Sequence, residues 1–204
     1  MLRSPTDDDL FALIEVARAG VHDPDQMPFV VPWTDLEPPD FQRSFLRFYW
    51  GCRASWTPEG WQLPLAVVLE DRPIGIQELS ATGFATVRTV ETGSWLGRAN
   101  QGQGIGTEMR AAVLALAFDG LGASVATSGA IEGNVASRRV SEKLGYEPNG
   151  ESLVAPRGTP VVEHRYRLRR ERWDRDRYPV RIEHLDRCLG MFGLDARAGT
   201  GDAG

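Results

Sequence analysis

Apolar positions near the start of the chain recur at helical spacing. Leu10, Leu13, Ile14 and Ala17 share one face of a segment that Ser4-Pro5-Thr6 opens and Gly20 closes. Thr6 suits the cap, and Asp7, Asp8 and Asp9 fall in the positive first turn. Phe41, Phe45, Phe48, Tyr49 and Cys52 make a wider stripe and predict a second helix over 41–54. The pattern then turns strand-like. Leu65 to Glu70 and Pro73 to Ser80 flank Asp71-Arg72 and predict a hairpin, and the β-branched stretch Thr86 to Leu96 predicts a third long strand. Ile105, Met109, Ala112, Val113, Leu116 and Ala117 predict a helix ended by Gly120 and Gly122, with Glu108, Arg110 and Asp119 directed away from its apolar face. Ser124 to Gly129 suits a buried strand. Asn134 caps a helix with Ala136, Val140 and Leu144 inward and Gly145 as its stop. Tyr146 to Val154 and Pro160 to Leu168 read as closing strands, Ile182 to Phe192 as a short helix, and the Gly/Ala tail from Ala196 as disordered. This order predicts an α+β fold with a central, mostly antiparallel sheet, not a doubly wound nucleotide fold.

Between the first two helices, Val21 to Asp40 carries five prolines and the acids Asp23, Asp25, Asp35, Glu37 and Asp40, with no lysine or arginine. Such a loop, anchored by Phe29 and Trp33, is either a substrate rim or a surface crossover. The 204 residues suffice for one domain with an appendage, divided here as 1–173 and a C-terminal arm 174–204. No run of about 18 apolar residues is present and the N-terminus lacks signal-peptide character, so a cytoplasmic protein that neither enters nor crosses a membrane is expected. Cys52 and Cys188 lie far apart, and His22, His164 and His184 show no ligand spacing with them, so no metal site is expected. A net charge of −5 argues against nucleic acid as partner. The arginines between Arg165 and Arg187 alternate with acids and read as a solvated, salt-bridged surface.

The stretch from Ser94 to Thr107 carries the chemistry. Gly102, Gly104 and Gly106 alternate just ahead of a helix, where unpaired N–H groups and the positive dipole end form an anion cradle. No Gly-Lys-Ser/Thr follows Gly106, which excludes a nucleotide P-loop, and the glycine spacing does not match the dinucleotide fingerprint.

Gln101-x-x-Gly104-x-Gly106, then a helix and a strand, then Asn134-x-x-Ser137 and Glu142-Lys143-Leu144-Gly145-Tyr146, resembles the GNAT superfamily of acyl-CoA N-acyltransferases. Gly93-Ser94-Trp95-Leu96, the Asn-x-x-Ser pair, and His164 with Trp173 resemble the branch that acetylates ribosomal-protein N-termini. The resemblance covers about residues 4 to 173. It implies a GNAT-like sheet whose strands splay at an acyl-CoA cleft, with acetyl-CoA as the donor. By resemblance, Gln101, Gly102, Gly104, Ile105, Gly106 and Thr107 hold the CoA diphosphate. Trp95 and Leu96 offer main-chain groups to the pantetheine arm, and Asn134 contacts that arm. Ser137 matches the residue assigned to reprotonating the CoA thiolate, and Ser141 stands where other members carry a tyrosine for that task. The family has a full first strand before the position of Ser4; here only Met1-Leu2-Arg3 precede it, so the strand is short or the start is annotated late.

Direct attack on a thioester needs a neutral amine, and an alkylammonium near pKa 10 must first lose a proton. Glu78 and Glu91 are the candidate bases, each beside an apolar neighbour that suggests a partly buried setting; His22 is a further candidate. The acceptor amine, a small molecule or a protein N-terminus, is expected near the acidic loop. A bulkier donor such as succinyl-CoA would call for an arginine at the thioester end, with Arg88 and Arg98 to be examined. A CoA-binding regulatory module without turnover is the non-enzymatic alternative. Leu185, Leu189 and Phe192 can pack on the domain itself or on a second subunit.

Overall fold

The computed structural model describes residues 1–194. Its middle layer is one seven-stranded sheet. The strands are β1 (Leu2–Arg3), β2 (Gly60–Leu69), β3 (Arg72–Thr82), β4 (Thr89–Leu96), β5 (Val125–Ile131), β6 (Glu147–Val154) and β7 (Val161–Arg169), in the order β1-β2-β3-β4-β5-β7-β6. Helices α1 (Asp7–Arg18) and α2 (Asp40–Ala54) cover one face, where Leu10, Leu13, Phe41 and Phe45 pack with Ile76 of β3 and Trp95 of β4. On the opposite face α4 (Ile105–Ala115) buries Val113 and Leu114 against Leu79, Val90 and Ala126. Alternation explains the division, because successive residues of β3 and β4 face opposite layers. Helix α5 (Val135–Lys143) follows β5, and α4 and α5 are in contact.

Every neighbouring pair is antiparallel except β4 with β5. Those two run parallel only from Thr89–Glu91 against Val125–Thr127. Beyond that row β4 continues to Leu96 and β5 to Ile131 without pairing, so the sheet opens into a V. The vertex lies at Glu91 and Thr127, and the mouth at Leu96, where the glycine loop begins.

Some elements differ from expectation. The strand expected from Thr86 starts only at Thr89, because Phe84–Val87 form a single helical turn, α3, bounded by left-handed Gly83 and Arg88. Phe84 is wholly buried against Trp61, and that anchor overrides the β-branched preference of Thr86 and Val87. After α4 the chain widens into a π-turn over Leu116–Gly120, where the Leu121 N–H reaches back to the Leu116 carbonyl. In place of one helix over 182–192 there are two 3-10 turns, Leu185–Arg187 and Leu189–Phe192. Leu185, Leu189 and Phe192 pack on the arm's own domain, with Phe192 edge-on to Trp56 and Trp61. The tail expected to be disordered, from Ala196, lies outside the described residues.

Candidate active site

The V is bordered by the glycine loop at its mouth, α4 and α5 on one side of the sheet, and the Val21–Asp40 loop on the other. Gly102 and Gly104 have φ of +76° and +87°, left-handed values that a side chain would oppose. A Cβ at either would meet nothing within 4 Å, so backbone conformation, not crowding, requires glycine there. Gly104 caps α4, its carbonyl accepting from Thr107 and Glu108 N–H. Among the described residues the N–H groups of Gly102, Gln103, Ile105 and Gly106 find no backbone partner, and Gly102 to Gly104 are exposed. Unpaired N–H groups at a helix start fit an anionic diphosphate. The Gln101 side chain is spent on bracing: its amide donates to Val21 O at 2.6 Å and Leu96 O at 2.8 Å, tying the glycine loop to the start of the Val21–Asp40 loop and to the end of β4. Thr107 is buried.

On β4, Trp95 and Leu96 face opposite layers. The Trp95 indole donates to Tyr49 Oη at 3.0 Å, and Leu96 packs with Met109 and Ile105. Their main-chain edge toward β5 is unpaired. Across the gap, Asn134 caps α5 by accepting from Ser137 N–H at 3.1 Å, which leaves its amide nitrogen free of bonds among the described residues. Ser137 is half-buried and its hydroxyl makes no bond among those residues. Ser141 is fully buried and donates back to Ser137 O at 3.1 Å.

The acids gather on the α1/α2 side. Glu78 stands opposite Gly93, and Glu91 opposite Ser80, one step diagonal from it. Glu78 is half-buried without a hydrogen-bond partner among the described residues; burial pushes its pKa up, and the charge of Glu91 adds to the rise. Glu91 is exposed and pairs with Arg165 at 3.5 Å. Arg165 also reaches Glu163 at 3.1 Å. Glu163 escapes sequence reasoning. It is buried over Gly129 of β5, where an added Cβ would come within 2.4 Å of its carboxylate, and it accepts from Ser152 at 3.0 Å. Only the alternation of Glu163, Arg165 and Arg167 along β7 could have flagged it. An open cavity of about 480 Å³ at the vertex is lined by Ser80, Glu91, Thr127 and Gln62, among others.

Two expectations about charge are corrected. Arg110 does not point to solvent. It is 4% exposed and donates to Ser94, Ser128 and Ser141 beneath the V. It lies three, four and seven residues before Val113, Leu114 and Ala117, which is the inward face of α4. Nor is Asp35 free to attract a cation. Arg157, at the β6–β7 turn, grips it with two bonds of 2.7 Å and also donates to Pro24 O at 3.0 Å. That clasp joins the acidic loop to the β6–β7 hairpin. His22 is likewise committed, its ring nitrogens within 2.8 Å of Asp23 O and 2.7 Å of Thr34 Oγ1. Arg88 donates to Leu121 O and lies over the Phe84 ring, and Arg98 is exposed with its chain near Gly20. Among the described residues no group of three or more His, Cys, Asp or Glu side chains could hold a metal, and no helix is long and apolar enough to cross a membrane.

Solved structures share this architecture. Mycobacterium smegmatis RimJ in complex with CoA-disulfide is 19% identical, with a TM-score of 0.70 over 83% of this chain and 81% of that one. RimL, a ribosomal alpha-N-protein acetyltransferase in complex with coenzyme A, is 14% identical, with a TM-score of 0.65 over 82% of this chain and 92% of that one. The ribosomal-protein-alanine N-acetyltransferase from Brucella melitensis is 17% identical, with a TM-score of 0.61 over 83% and 99%. At such identities the likeness establishes the fold. The family itself is shown by sequence, since the acetyltransferase (GNAT) domain matches residues 1–147. A splayed β4–β5 pair beside a glycine-capped helix, within a chain that matches that domain over most of its length, places this protein in the GNAT family of acetyltransferases.

Proposed function

We propose that the protein moves an acetyl group from acetyl-CoA to a primary amine by direct attack, in a single reaction cleft. The observation that carries this reading is the V itself. It offers an unpaired strand edge that leads from free N–H groups at a helix start to a half-buried carboxylate whose pKa is raised. The diphosphate lies on the N–H groups from Gly102 to Gly106. The pantetheine arm runs along the Trp95–Leu96 edge of β4, within reach of Asn134, and brings the thioester toward the vertex.

The acceptor enters from the α1/α2 side, through the cavity lined by Ser80 and Glu91. Glu78 takes a proton from its ammonium group, and the neutral amine attacks the thioester carbonyl. The C–N bond forms, the C–S bond breaks, and the electron pair stays on sulfur. Ser137 passes its proton to the departing thiolate and takes up the second proton of the amine nitrogen, so that the amide and the thiol both form and the hydroxyl is restored. Glu91, screened by Arg165, raises the basicity of Glu78 and does not act as base itself. The acceptor is cationic, drawn by Asp23, Asp25 and the carboxylates of the vertex. The catalytic domain spans residues 1–173, and Leu185, Leu189 and Phe192 of the C-terminal arm pack onto it.

The test is thiol release from a panel of acyl-CoA donors with small amines and peptides bearing free N-termini. Amine-dependent release that is fastest with acetyl-CoA and collapses in Glu78→Gln supports the reading. CoA binding with no turnover for any acceptor would instead favour a regulatory module.

A further inference from the structure

The buried arginine of α4 has no part in the chemistry described so far, and its surroundings are unusual. A guanidinium has five N–H donors. Arg110 uses Nη1 on Ser128 Oγ at 3.3 Å and on Ser141 Oγ at 3.1 Å, and Nη2 on Ser94 Oγ at 3.3 Å. Its Nε is buried without any partner. Every acceptor is a neutral hydroxyl, and no carboxylate forms an ion pair with it among the described residues. Burial lowers its pKa, with the nearby Tyr146 hydroxyl acting in the opposite sense, yet an arginine remains charged in any such setting. A buried charge without a counter-ion destabilises the fold, and an anion brought near would offset that cost.

The three serines show where. Ser94 lies on β4 and Ser128 on β5, both past the last paired row, Glu91 with Thr127. Ser141 lies on α5. Arg110 therefore bridges the two diverging arms and the neighbouring helix from beneath the open part of the V. Two of the hydroxyls already spend their protons elsewhere, Ser128 on Thr92 O at 3.4 Å and Ser141 on Ser137 O at 3.1 Å, so their lone pairs turn to the cation. The other groups nearby are the Tyr146 and Thr92 hydroxyls, 3.3 Å apart. The carboxylates along the V, Glu78, Glu91 and Glu163, belong to positions facing the opposite layer. Glu78, which has no hydrogen-bond partner among the described residues, lies on the side of the sheet where an ammonium must be deprotonated, and Arg110, without a carboxylate partner, lies on the other.

We propose that Arg110 supplies the positive field that stabilises the departing CoA thiolate, acting as a positioning residue through the hydroxyls of Ser94, Ser128 and Ser141. This rests on the placement of acyl-CoA in the V. As the C–S bond breaks, the electron pair moves onto sulfur. Arg110 is itself buried, and a buried cation acts on a nearby charge far more than one in water. Proton donation by Ser137 then follows a leaving group that is already stable. The same field lowers the pKa of the thiol in bound CoA.

That thiol is the probe, and it needs no acceptor. The ultraviolet absorbance of the thiolate in enzyme-bound CoA is titrated against pH for the wild type, Arg110→Gln and Arg110→Lys. Calorimetry measures CoA affinity in parallel, at a pH where the thiol is protonated. The wild type should hold the thiol at least about one unit below the ordinary value near 8.5. Arg110→Gln should return it to that value or above while binding CoA within a few-fold of wild type, and Arg110→Lys should keep most of the shift. A wild-type thiol with an ordinary pKa overturns the assignment whether or not the variants fold. So does an unchanged shift in Arg110→Gln. So does a variant that loses only donors with a terminal carboxylate while its bound thiol stays as in the wild type. If the wild type binds no CoA, the placement of acyl-CoA falls first and this inference with it; normal CoA binding with an unshifted thiol removes this inference alone.

Discussion

Glu78 and Glu91 permit a prediction whose size follows from the ladder. Glu78 pairs with Gly93 and Glu91 with Ser80, so the two acids are diagonal neighbours on the same face. Such neighbours lie about 7–8 Å apart, and two unit charges at that distance repel by about 2 kcal/mol at an effective dielectric constant of 20. Glu91 is half exposed and carries Arg165 at 3.5 Å, which screens it. A working value is about 0.5–1 kcal/mol, or roughly half a pH unit. Because the base works as a carboxylate, kcat/KM for the acceptor at saturating acetyl-CoA should rise with pH through the pKa of Glu78, above the ordinary carboxylate range. Glu91→Gln should move that limb about half a unit toward lower pH with little loss at the plateau. Glu78→Gln should remove the limb and reduce the rate about 10²–10⁴-fold. Stability supplies a separate check. The folded-state pKa of Glu78 is raised, so ionisation costs stability above its unfolded value, and the cost is complete once pH passes the folded value. Glu78→Gln should therefore raise Tm at neutral pH, and the gain should vanish as pH falls below the ordinary range. A limb that ignores both substitutions, or near wild-type turnover in Glu78→Gln, would refute the role of this carboxylate.

Three further outcomes are expected. Gly104→Ala forces a side chain into a left-handed conformation at φ +87°, which should cost about 1–2 kcal/mol in thermal or denaturant unfolding. Calorimetry should show a larger proportional loss in CoA affinity than any change in acceptor KM. Arg157→Ala should raise the acceptor KM several-fold and leave the acyl-CoA KM unchanged, because the clasp to Asp35 ties the acidic loop to the β6–β7 turn and not to the glycine loop; exchanging the charges with Arg157→Asp and Asp35→Arg should restore much of the loss. Thr6→Ala removes the hydroxyl that accepts from Asp9 N–H at 3.2 Å in a reciprocal cap, and should cost about 1 kcal/mol in denaturant unfolding without changing kinetic constants.

What was legible in the sequence was local. The Thr6 cap, the hairpin at Asp71, the glycine loop and the Asn134 cap each follow from a few adjacent residues, and each appears in the structure. The features that escaped join distant positions. Arg157 meets Asp35 across 122 residues, and nothing near either marks the pairing. Arg110 reads as a solvated charge because a helical wheel assumes that charge seeks water. The polar pocket that receives it is assembled by β4, β5 and α5 together, through the splay of the sheet. Phe84–Val87 misled for the converse reason: tertiary burial of Phe84 decided the conformation against local preference. Glu163 is hidden in the same way, since its environment depends on a glycine of the adjoining strand.

The account stands on acyl-CoA lying in the V, and a crystal structure of the protein with CoA tests that directly. The diphosphate should sit on the N–H groups from Gly102 to Gly106, with the pantetheine arm along the Trp95–Leu96 edge of β4 and its sulfur above Ser94 and Ser128. CoA bound elsewhere, or a V that keeps CoA out at saturating concentration, would contradict it.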